Sequence, residues 1–385
     1  MPKPSRKPEN PISVAVSSWL TTLPESDQKL NTQELVSLAP KRWVVYPPML
    51  LLPSGSFTSG PWPSLLASLP SEHTARLWTA LLAAVSTKTV VLTHLAVNEG
   101  IPLHLQPPEP EAITAEKENI LRSPSSLRLL HGDFGPSVAE NPVPSQADLD
   151  AALWVSTRQN GLTQVWAPRW TMFSRGNVKE KARLLEQFPP SPSDKSKWAV
   201  DLYAGIGYFV FSYARLGLRV LCWELNPWSV EGLVRGARAN GFSVRVVTDL
   251  LSSPNGFAEW DEQIIVFLQD NAHAAPTVQS VRAAGVKLEV VHVNCGFLPS
   301  SSGSWRAAWE IQRGSGHDGW LHLHENVGVA DIERRRGEIQ GLVDRWCDGP
   351  TGEARVEHVE RVKTFAPGVW HCVFDVYAGG KKPPS

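Results

Sequence analysis

The sequence predicts an α/β protein in which an open, mostly parallel sheet forms the C-terminal half and an α+β region precedes it. From residue 198 onward, short apolar runs alternate with segments of helical periodicity, a rhythm typical of parallel sheets covered by helices on both faces. Two late predicted strands, 354–363 and 369–377, are joined by "TFAPG" and predict a terminal antiparallel hairpin. The 385 residues suffice for two or three domains.

The C-terminal half contains the longer elements. Its apolar runs predict strands at 198–203, 219–224, 244–248, 263–269, 287–294 and 319–324. Its helical patterns lie at 207–216, 227–240, 273–284, 304–313 and 330–346. The third and fourth runs cannot both occupy the third position of the sheet, so one of them is an extra strand. We interpret residues 249–262, which lie between these two runs, as an inserted loop.

The N-terminal half is proline-rich and has shorter elements. "RWVVYPPMLLLP" predicts strands, and "HTARLWTALLAAVS" has the three- and four-residue apolar spacing of a helix. An Asn160-Gly161 pair between two apolar runs predicts a hairpin, and "VKEKARLLEQF" predicts the helix that follows. We therefore expect a disordered tail (1–12), an α+β substrate-recognition region (13–120), a connecting hairpin and helix (121–190) and a catalytic domain (195–380).

Composition limits the classes of function. The net charge of −1 gives no overall basic field for a nucleic acid, which leaves local basic patches to bind one. The four cysteines are widely spaced and favour buried thiols in a reducing compartment. The N-terminus lacks the apolar core of a signal peptide, and no apolar run reaches about 18 residues. We expect a cytoplasmic protein that does not span a membrane.

Residues 201–227, "DLYAGIGYFVFSYARLGLRVLCWELNP", read as strand, glycine-rich turn, helix, strand and acid. Gly205 and Gly207 allow the backbone to approach a ligand, and the helix that follows presents unpaired N–H groups. Glu224 lies seventeen residues beyond Gly207, where a carboxylate can accept hydrogen bonds from both hydroxyls of a ribose. The pattern predicts a nucleotide-binding site.

The same segment indicates which nucleotide is bound. A dinucleotide fingerprint requires a third glycine at the position of Val210. Asp201, directly before the loop, suits the sulfonium of S-adenosylmethionine (SAM) better than a pyrophosphate. Asp270 and Asn271 end another predicted strand on the same edge of the sheet, where they could hold an adenine.

The fourth strand end, "NCGFLPSS", places Asn294 and Pro299 where nucleobase-modifying methyltransferases hold the acceptor. These two residues are candidates for the acceptor pocket, and the Ser-rich end of the segment also suits a helix cap. His322 and His324 share one strand face, but no third ligand follows at a telling spacing. We expect no metal site and interpret them as a packed strand end.

Seven motifs of the chain belong together: "WTMFSRGNVKEKAR", "DLYAGIGYF", "WELNPWSVEGL", "LQDNAHAA", "NCGFLPSSSGSW", "LHLHENV" and "VKTFAPGVWHCVFDV". Together they resemble a family of wybutosine-synthesis transferases, in a fungal-like form, that belongs with the class I tRNA guanine-37 methyltransferases. The resemblance extends from Leu121 to the C-terminus, and it implies a class I SAM-dependent methyltransferase (Rossmann-like) fold.

The resemblance implies transfer of the 3-amino-3-carboxypropyl group of SAM to the tricyclic precursor at position 37 of phenylalanine tRNA, with release of methylthioadenosine. It also implies SAM contacts from Ser174, Lys181, Glu224, Asp270 and Asn271. The ammonium of Lys181 suits the methionine carboxylate or a phosphate. The resemblance gives no general base, and we expect a monomer.

Three departures from the family pattern bear on substrate docking: the insertion at 249–262, the proline-rich front half, and Cys295 at a position expected to be apolar. Two alternatives stay open, a SAM-dependent guanosine-37 methyltransferase and an inactive SAM-fold RNA-binding module. The retained glycines and Glu224 argue against the inactive module. Candidate cations for tRNA docking are Lys41, Arg42, Arg169 and Arg175.

Overall fold

The computed structural model describes residues 9–24, 31–99, 127–137, 143–188, 195–248, 259–347 and 353–379, with 104–105, 117–118, 124 and 257. The chain divides into two compact units. The first comprises Met1–Thr157 and Trp166–Met172, and the second comprises Arg158–Val165 and Phe173–Ser385.

The first unit is an α+β structure. Its helices are α1 (Pro11–Leu20), α2 (Thr32–Leu38), α3 (Trp62–Ser68), α4 (Ser71–Val85) and α5 (Gln146–Ala151). Its strands are β1 (Val44–Tyr46), β2 (Met49–Leu52), β3 (His94–Val97), β4 (His104–Leu105), β5 (Lys117–Glu118) and β6 (Arg128–His131). Strands β1, β2, β3 and β6 form one sheet in that order, with β2 and β3 parallel and the other pairs antiparallel.

Aromatic side chains fill the core of the first unit. Trp62 is fully buried, stacks on Trp19 at 6.2 Å between ring centroids and meets Phe57 edge to face. The strands and the helix predicted from the apolar spacing here are confirmed by β1, β2 and α4. Helix α1 begins at Pro11, because the side chain of Asn10 caps it, so the last two residues assigned to a disordered tail are helical. Residues 1–8 lie outside the described residues.

A hairpin of β7 (Val155–Gln159) and β8 (Leu162–Trp166) lies where the chain passes from one unit to the other. At its turn, Asn160 and Gly161 have φ angles of 51° and 75°. Two consecutive positive φ angles match the twist of a two-residue hairpin, and Asn-Gly adopts them readily. The predicted hairpin is confirmed.

The second unit is an α/β structure. After helix α6 (Val178–Gln187) its elements are β9 (Lys197–Asp201), α7 (Val210–Arg215), β10 (Arg219–Glu224), α8 (Pro227–Ala239), β11 (Val244–Val247), β12 (Ile264–Leu268), α9 (Ala274–Ala283), β13 (Glu289–Cys295), α10 (Trp305–Arg313), β14 (Gly319–Gly328), α11 (Ile332–Trp346), β15 (Ala354–Ala366) and β16 (Val369–Ala378). The predicted strands and helices correspond to these, with ends shifted by a few residues.

The second unit has one eight-stranded sheet in the order β11-β12-β10-β9-β13-β14-β16-β15. The first six strands in this order, from β11 at the edge to β14, pair in parallel with their neighbours. Strand β16 pairs antiparallel with both β14 and β15. The predicted Rossmann-like SAM-dependent methyltransferase fold with a terminal antiparallel hairpin is confirmed. Strand β12 takes the third position beside β10, and β11 is the extra strand, added at the edge. Of the predicted insertion, 249–256 and 258 lie outside the described residues.

Successive residues of the central strands pack on opposite faces of this sheet. Trp198 and Val200 of β9 belong to the core under α9 and α10, whereas Ala199 between them belongs to the core under α7 and α8. Leu221 and Cys222 of β10 divide in the same way. Because both faces are covered, the middle of each of these strands is a continuous apolar run, and the acids Asp201 and Glu224 come at their carboxyl ends.

The cysteines and helices agree with two further features of the sequence. Cys222, Cys295 and Cys372 are buried, and Cys347 is half-buried. Within the described ranges, no helix is both long enough and apolar enough to cross a membrane.

Candidate functional site

The glycine loop between β9 and α7 is held by the acid at the end of β10. Gly205 and Gly207 have φ angles of 53° and 89°, in the left-handed region that favours glycine. The Gly205 N–H donates to Glu224 Oε2 at 2.7 Å, and the Asn226 N–H donates to Glu224 Oε1 at 2.8 Å. Burial raises the pKa of Glu224, while these backbone N–H groups oppose the rise. Each carboxylate oxygen keeps a lone pair for a further donor.

Asp201, at the end of β9, is fully buried under the loop. Its Oδ1 accepts hydrogen bonds from the Tyr203 N–H at 3.1 Å and from Asn294 Nδ2 at 3.0 Å. Burial raises the pKa of Asp201 to about 6. Asp201 Oδ2 and Asn294 Oδ1 have no hydrogen-bond partner among the described residues. The structure thus joins two of the predicted site residues from β9 and β13.

The end of strand β12 also contacts the residues around the glycine loop. Asn271 Nδ2 donates to the Leu202 carbonyl at 2.8 Å, which ties the end of β12 to the residue after Asp201. Asp270 is exposed, and its Oδ1 accepts from the Ala272 N–H at 2.8 Å. The carboxyl ends of β9, β10, β12 and β13 therefore present the predicted polar residues at one edge of the sheet.

Ser174, upstream of α6, also reaches this loop. Its N–H donates to Tyr208 Oη at 3.0 Å, and Tyr208 directly follows Gly207. Its hydroxyl accepts a hydrogen bond from Lys363 Nζ at 3.3 Å. Neither Tyr208 nor Lys363 was predicted as a site residue, because their proximity to Ser174 arises only when α6, the loop and β15 fold together.

Lys181 lies deeper in the unit than Ser174. Its side chain is 2% exposed, and Nζ donates to Gln159 Oε1 at 2.7 Å and Gln164 Oε1 at 2.9 Å. Burial lowers the pKa of Lys181 to about 8. An ammonium has three donors, and the two glutamines of the hairpin occupy two of them.

The predicted acceptor-pocket residues occupy different environments. Asn294 is fully buried against Asp201, whereas Pro299 is exposed beyond the end of β13. The Pro299 carbonyl accepts from the Asn326 N–H at 2.8 Å, which brings the end of β14 beside this segment. Burial raises the pKa of Cys295 to about 12, so this thiol stays protonated at neutral pH.

A buried ion-pair network behind these strands was not predicted. Arg183 of α6 donates to both carboxylate oxygens of Asp375 in β16, at 2.6 and 3.2 Å, and to both oxygens of Glu180, at 2.9 and 2.6 Å. Asp375 Oδ1 is 2.7 Å from His322 Nδ1, and His322 Nε2 is 3.0 Å from His292 Nδ1. The spacing of Glu180 and Arg183 was visible in the sequence, but their partner lies 192 residues away.

This network keeps the Asp375 carboxylate ionised. Burial by itself raises the pKa of Asp375, but His322 and Arg183 outweigh it and hold that pKa at about 2. His324 pairs with His371 at 2.9 Å, so the two strand histidines face protein partners. No group of three His, Cys, Asp or Glu residues in the described part of the chain is arranged to hold a metal ion.

The residues at the sheet edge fit SAM. The loop keeps its left-handed backbone because both turn residues are glycine, and the rings of Tyr208 and Phe211 pack where their side chains would lie. Glu224 has lone pairs free for ribose hydroxyls. The unpartnered oxygens of Asp201 and Asn294 are two further polar atoms for a ligand.

Two fungal proteins are similar to the chain over most of its length. One from Schizosaccharomyces pombe is 38% identical over 338 residues, covering 88% of this chain and 72% of that protein. One from Saccharomyces cerevisiae is 33% identical over 403 residues, covering 95% of this chain and 80% of that protein. Both are called tRNA wybutosine-synthesizing protein 2. No protein-family model matches the chain.

The fold is similar to that of a solved archaeal protein. The crystal structure of Pyrococcus horikoshii TYW2 in complex with MeSAdo superposes with a TM-score of 0.58 and 18% identity. The superposition covers 96% of this chain and 100% of that one. The similarity therefore includes the α+β region as well as the parallel sheet.

Proposed function

The chain belongs to the tRNA wybutosine-synthesizing protein 2 family, and on that premise we propose that its acceptor is the tricyclic precursor at position 37 of phenylalanine tRNA. It is a SAM-dependent aminocarboxypropyltransferase of wybutosine synthesis, and its substrate is a tRNA. The base, the tRNA species and the residues that hold each part of SAM belong to the proposal.

The adenosine half of SAM lies along the carboxyl edge of the sheet. Glu224 accepts hydrogen bonds from the ribose hydroxyls, since its oxygens are fixed by two backbone N–H groups and still have lone pairs. Asp270 and Asn271 hold the adenine at the end of β12. The loop at Gly205 and Gly207 lies against the nucleoside.

The amino-acid tail of SAM is held by the segment that begins at Ser174 and continues into α6. Ser174 supplies a hydroxyl beside the loop, and Lys181 supplies the third proton of its ammonium. A methyltransferase of this fold directs the methyl group of SAM at its acceptor. Anchors for the tail that come from this segment, upstream of the core fold, reorient the sulfonium, so that another of its three carbons faces the acceptor. The Ser174–Tyr208 contact is the observation that supports this orientation.

Bound SAM supplies an electrophilic carbon, the one that joins the aminocarboxypropyl group to the sulfonium. The protein's part is to orient that carbon in line with the nucleophilic ring carbon, about 3–3.5 Å away. We place the acceptor base near Asn294 and Pro299, at the end of β13. The conjugated tricycle makes its ring carbon nucleophilic, so we assign no general base among the described residues.

The by-product distinguishes tail transfer from methyl transfer. We expect the purified protein, given SAM and tRNA from cells that lack this gene, to release methylthioadenosine. Chromatography of the reaction measures it, and Ser174→Ala and Lys181→Ala should both reduce its yield, because they remove anchors of the tail. Phenylalanine tRNA should be the species modified.

Other products would support other functions. Accumulation of S-adenosylhomocysteine would support the guanosine-37 methyltransferase alternative. Binding of tRNA without consumption of SAM would support the inactive RNA-binding module. Glu231→Ala is a matched control for the variants, because Glu231 lies on α8 and pairs with Arg235, away from the strand ends.

A further inference from the structure

Lys363, in β15 of the terminal hairpin, is a half-buried cation beside the motif that precedes α6. Its Nζ donates to Ser174 Oγ at 3.3 Å, and no carboxylate of the described residues lies within ion-pair distance of it. A hydroxyl is a weak counterpart for an ammonium removed from water. Burial lowers the pKa of Lys363, which agrees with a cation that no buried anion compensates.

The other two lysines of α6 and β15 already have acceptors. Lys181 is enclosed by two glutamine oxygens. Lys179 is exposed and pairs with Glu360 at 2.7 Å. Lys363 is therefore the member of this set that has a half-buried charge and only a hydroxyl to satisfy it.

The strands next to Lys363 present further unsatisfied polar atoms. Lys363 is in register with His371 of β16, and His371 is in register with Asn326 of β14, so the three side chains lie on one face. Asn326 Oδ1 and Nδ2 and His371 Nδ1 are buried without a hydrogen-bond partner among the described residues. Burial, aided by the charge of Lys363, lowers the pKa of His371 to about 4, so this imidazole is neutral. Unsatisfied polar atoms from two strands beside a half-buried ammonium indicate a place for a polar ligand.

Gly176 leaves room for the lysine. A Cβ at this position would overlap the Cδ, Cε and Nζ atoms of Lys363. The lysine side chain therefore crosses the turn through the space that a side chain at Gly176 would fill. The "SRGN" turn thus presents the hydroxyl of Ser174 and the ammonium of Lys363 together. Ser174 joins this ammonium to the glycine loop, because its N–H donates to Tyr208 after the loop and its hydroxyl accepts from Lys363.

We propose that Lys363 binds the α-carboxylate of the aminocarboxypropyl tail of SAM, with Ser174 beside it and the amide of Asn326 in the same polar wall. The proposal rests on the proposed function, since it deepens how that site holds its donor. The aminocarboxypropyl tail is an unbranched chain up to its α-carbon, so its carboxylate can reach a half-buried ammonium beside Ser174. Lys181, which the resemblance implies as a SAM contact, gives its third proton to the same tail, while its other two are held by the glutamines of the hairpin.

Two ligands test the proposal by calorimetry on the full chain. Methylthioadenosine has the adenosine and sulfur of SAM but lacks the aminocarboxypropyl tail. Lys363→Ala should weaken SAM binding by about 10- to 100-fold, as for a lost hydrogen bond between charged groups, and leave methylthioadenosine binding unchanged. Gly176→Ala, which displaces the ammonium without removing it, should weaken only SAM, and by less. Lys179→Ala is the matched control and should change neither affinity.

Several outcomes would overturn this assignment. Equal weakening of both ligands by Lys363→Ala would indicate a purely structural lysine, and unchanged SAM affinity would exclude the contact. Loss of tRNA affinity with SAM affinity retained would assign Lys363 to a phosphate instead. If Lys363→Ala fails to fold, Gly176→Ala decides by the same comparison. A wild-type protein that does not bind SAM would overturn the proposed function and this inference together, whereas the other outcomes leave the proposed function intact.

Discussion

Glu224 is the acid that links the glycine loop to the end of strand β10. Its two oxygens accept the N–H groups of Gly205 and Asn226, which fixes their positions at the end of β10. Glu224→Ala should weaken SAM binding by about 1–3 kcal/mol, because charge-assisted hydrogen bonds to the ribose are lost in a partly buried site. Calorimetric titration of SAM measures the loss.

The control for this substitution is Glu231→Ala, which removes an acid of α8 that pairs with Arg235 and should leave SAM affinity unchanged. Thermal unfolding of both variants shows whether the loop remains ordered. An unchanged SAM affinity in a folded Glu224→Ala variant would place the ribose elsewhere.

At the scale of single residues, the spacing of the two glycines and the next acid along the chain predicted the part of the candidate site that lies within one βαβ unit. A left-handed φ at Gly205 and Gly207 and an acid at the next strand end follow from one βαβ unit. The contact of Lys363 with Ser174 joins residues 189 positions apart, and the Asp201–Asn294 bond joins residues 93 apart. Such pairs depend on strand order, which no local pattern encodes.

Arg183 joins helix α6 to the sheet through a buried ion pair. Arg183 bridges Glu180 in its own helix and Asp375 in β16, and all three side chains are buried. Arg183→Met leaves two buried carboxylates without their cation, so it should lower the free energy of unfolding by about 3–5 kcal/mol. Chemical denaturation followed by fluorescence measures the change.

Arg334→Met tests whether the removal of any arginine lowers the free energy of unfolding by this amount. Arg334 is exposed on α11 and pairs with Asp331 and Glu338, so its removal should leave the free energy of unfolding nearly unchanged. The two variants remove the same charge from helices of the same unit. Similar stabilities for both would show that the buried network does not hold α6.

At the scale of elements, periodicity predicted the strands and helices but not the place of each strand in the sheet. The runs that became β11 and β12 are both apolar and β-branched, so composition alone could not decide between them. Pairing decides: β12 is buried between β10 and β11, whereas β11 has a neighbour on one side. Helix α1 includes the last two residues of the predicted disordered tail, because the Asn10 side chain caps a helix that begins at Pro11.

The charge of the whole molecule is nearly balanced, so tRNA must be held by local groups of cations. Of the four candidates, Lys41, Arg42 and Arg175 are exposed and Arg169 is half-buried. Lys41 and Arg42 are adjacent in the first unit, just before β1. They give the clearest test of whether the α+β region contributes to tRNA binding.

The double substitution Lys41→Ala/Arg42→Ala should weaken tRNA binding and flatten its salt dependence, because each phosphate contact releases counterions. Two lost contacts should reduce the slope of log affinity against log salt by about 1.4–1.8. Filter binding between low and moderate salt measures that slope. Arg76→Ala/Lys88→Ala removes the same charge from two other exposed positions of the first unit and should change the slope less. Equal slopes for the two double variants would show that only net charge acts, and that this region has no tRNA-docking surface at Lys41 and Arg42.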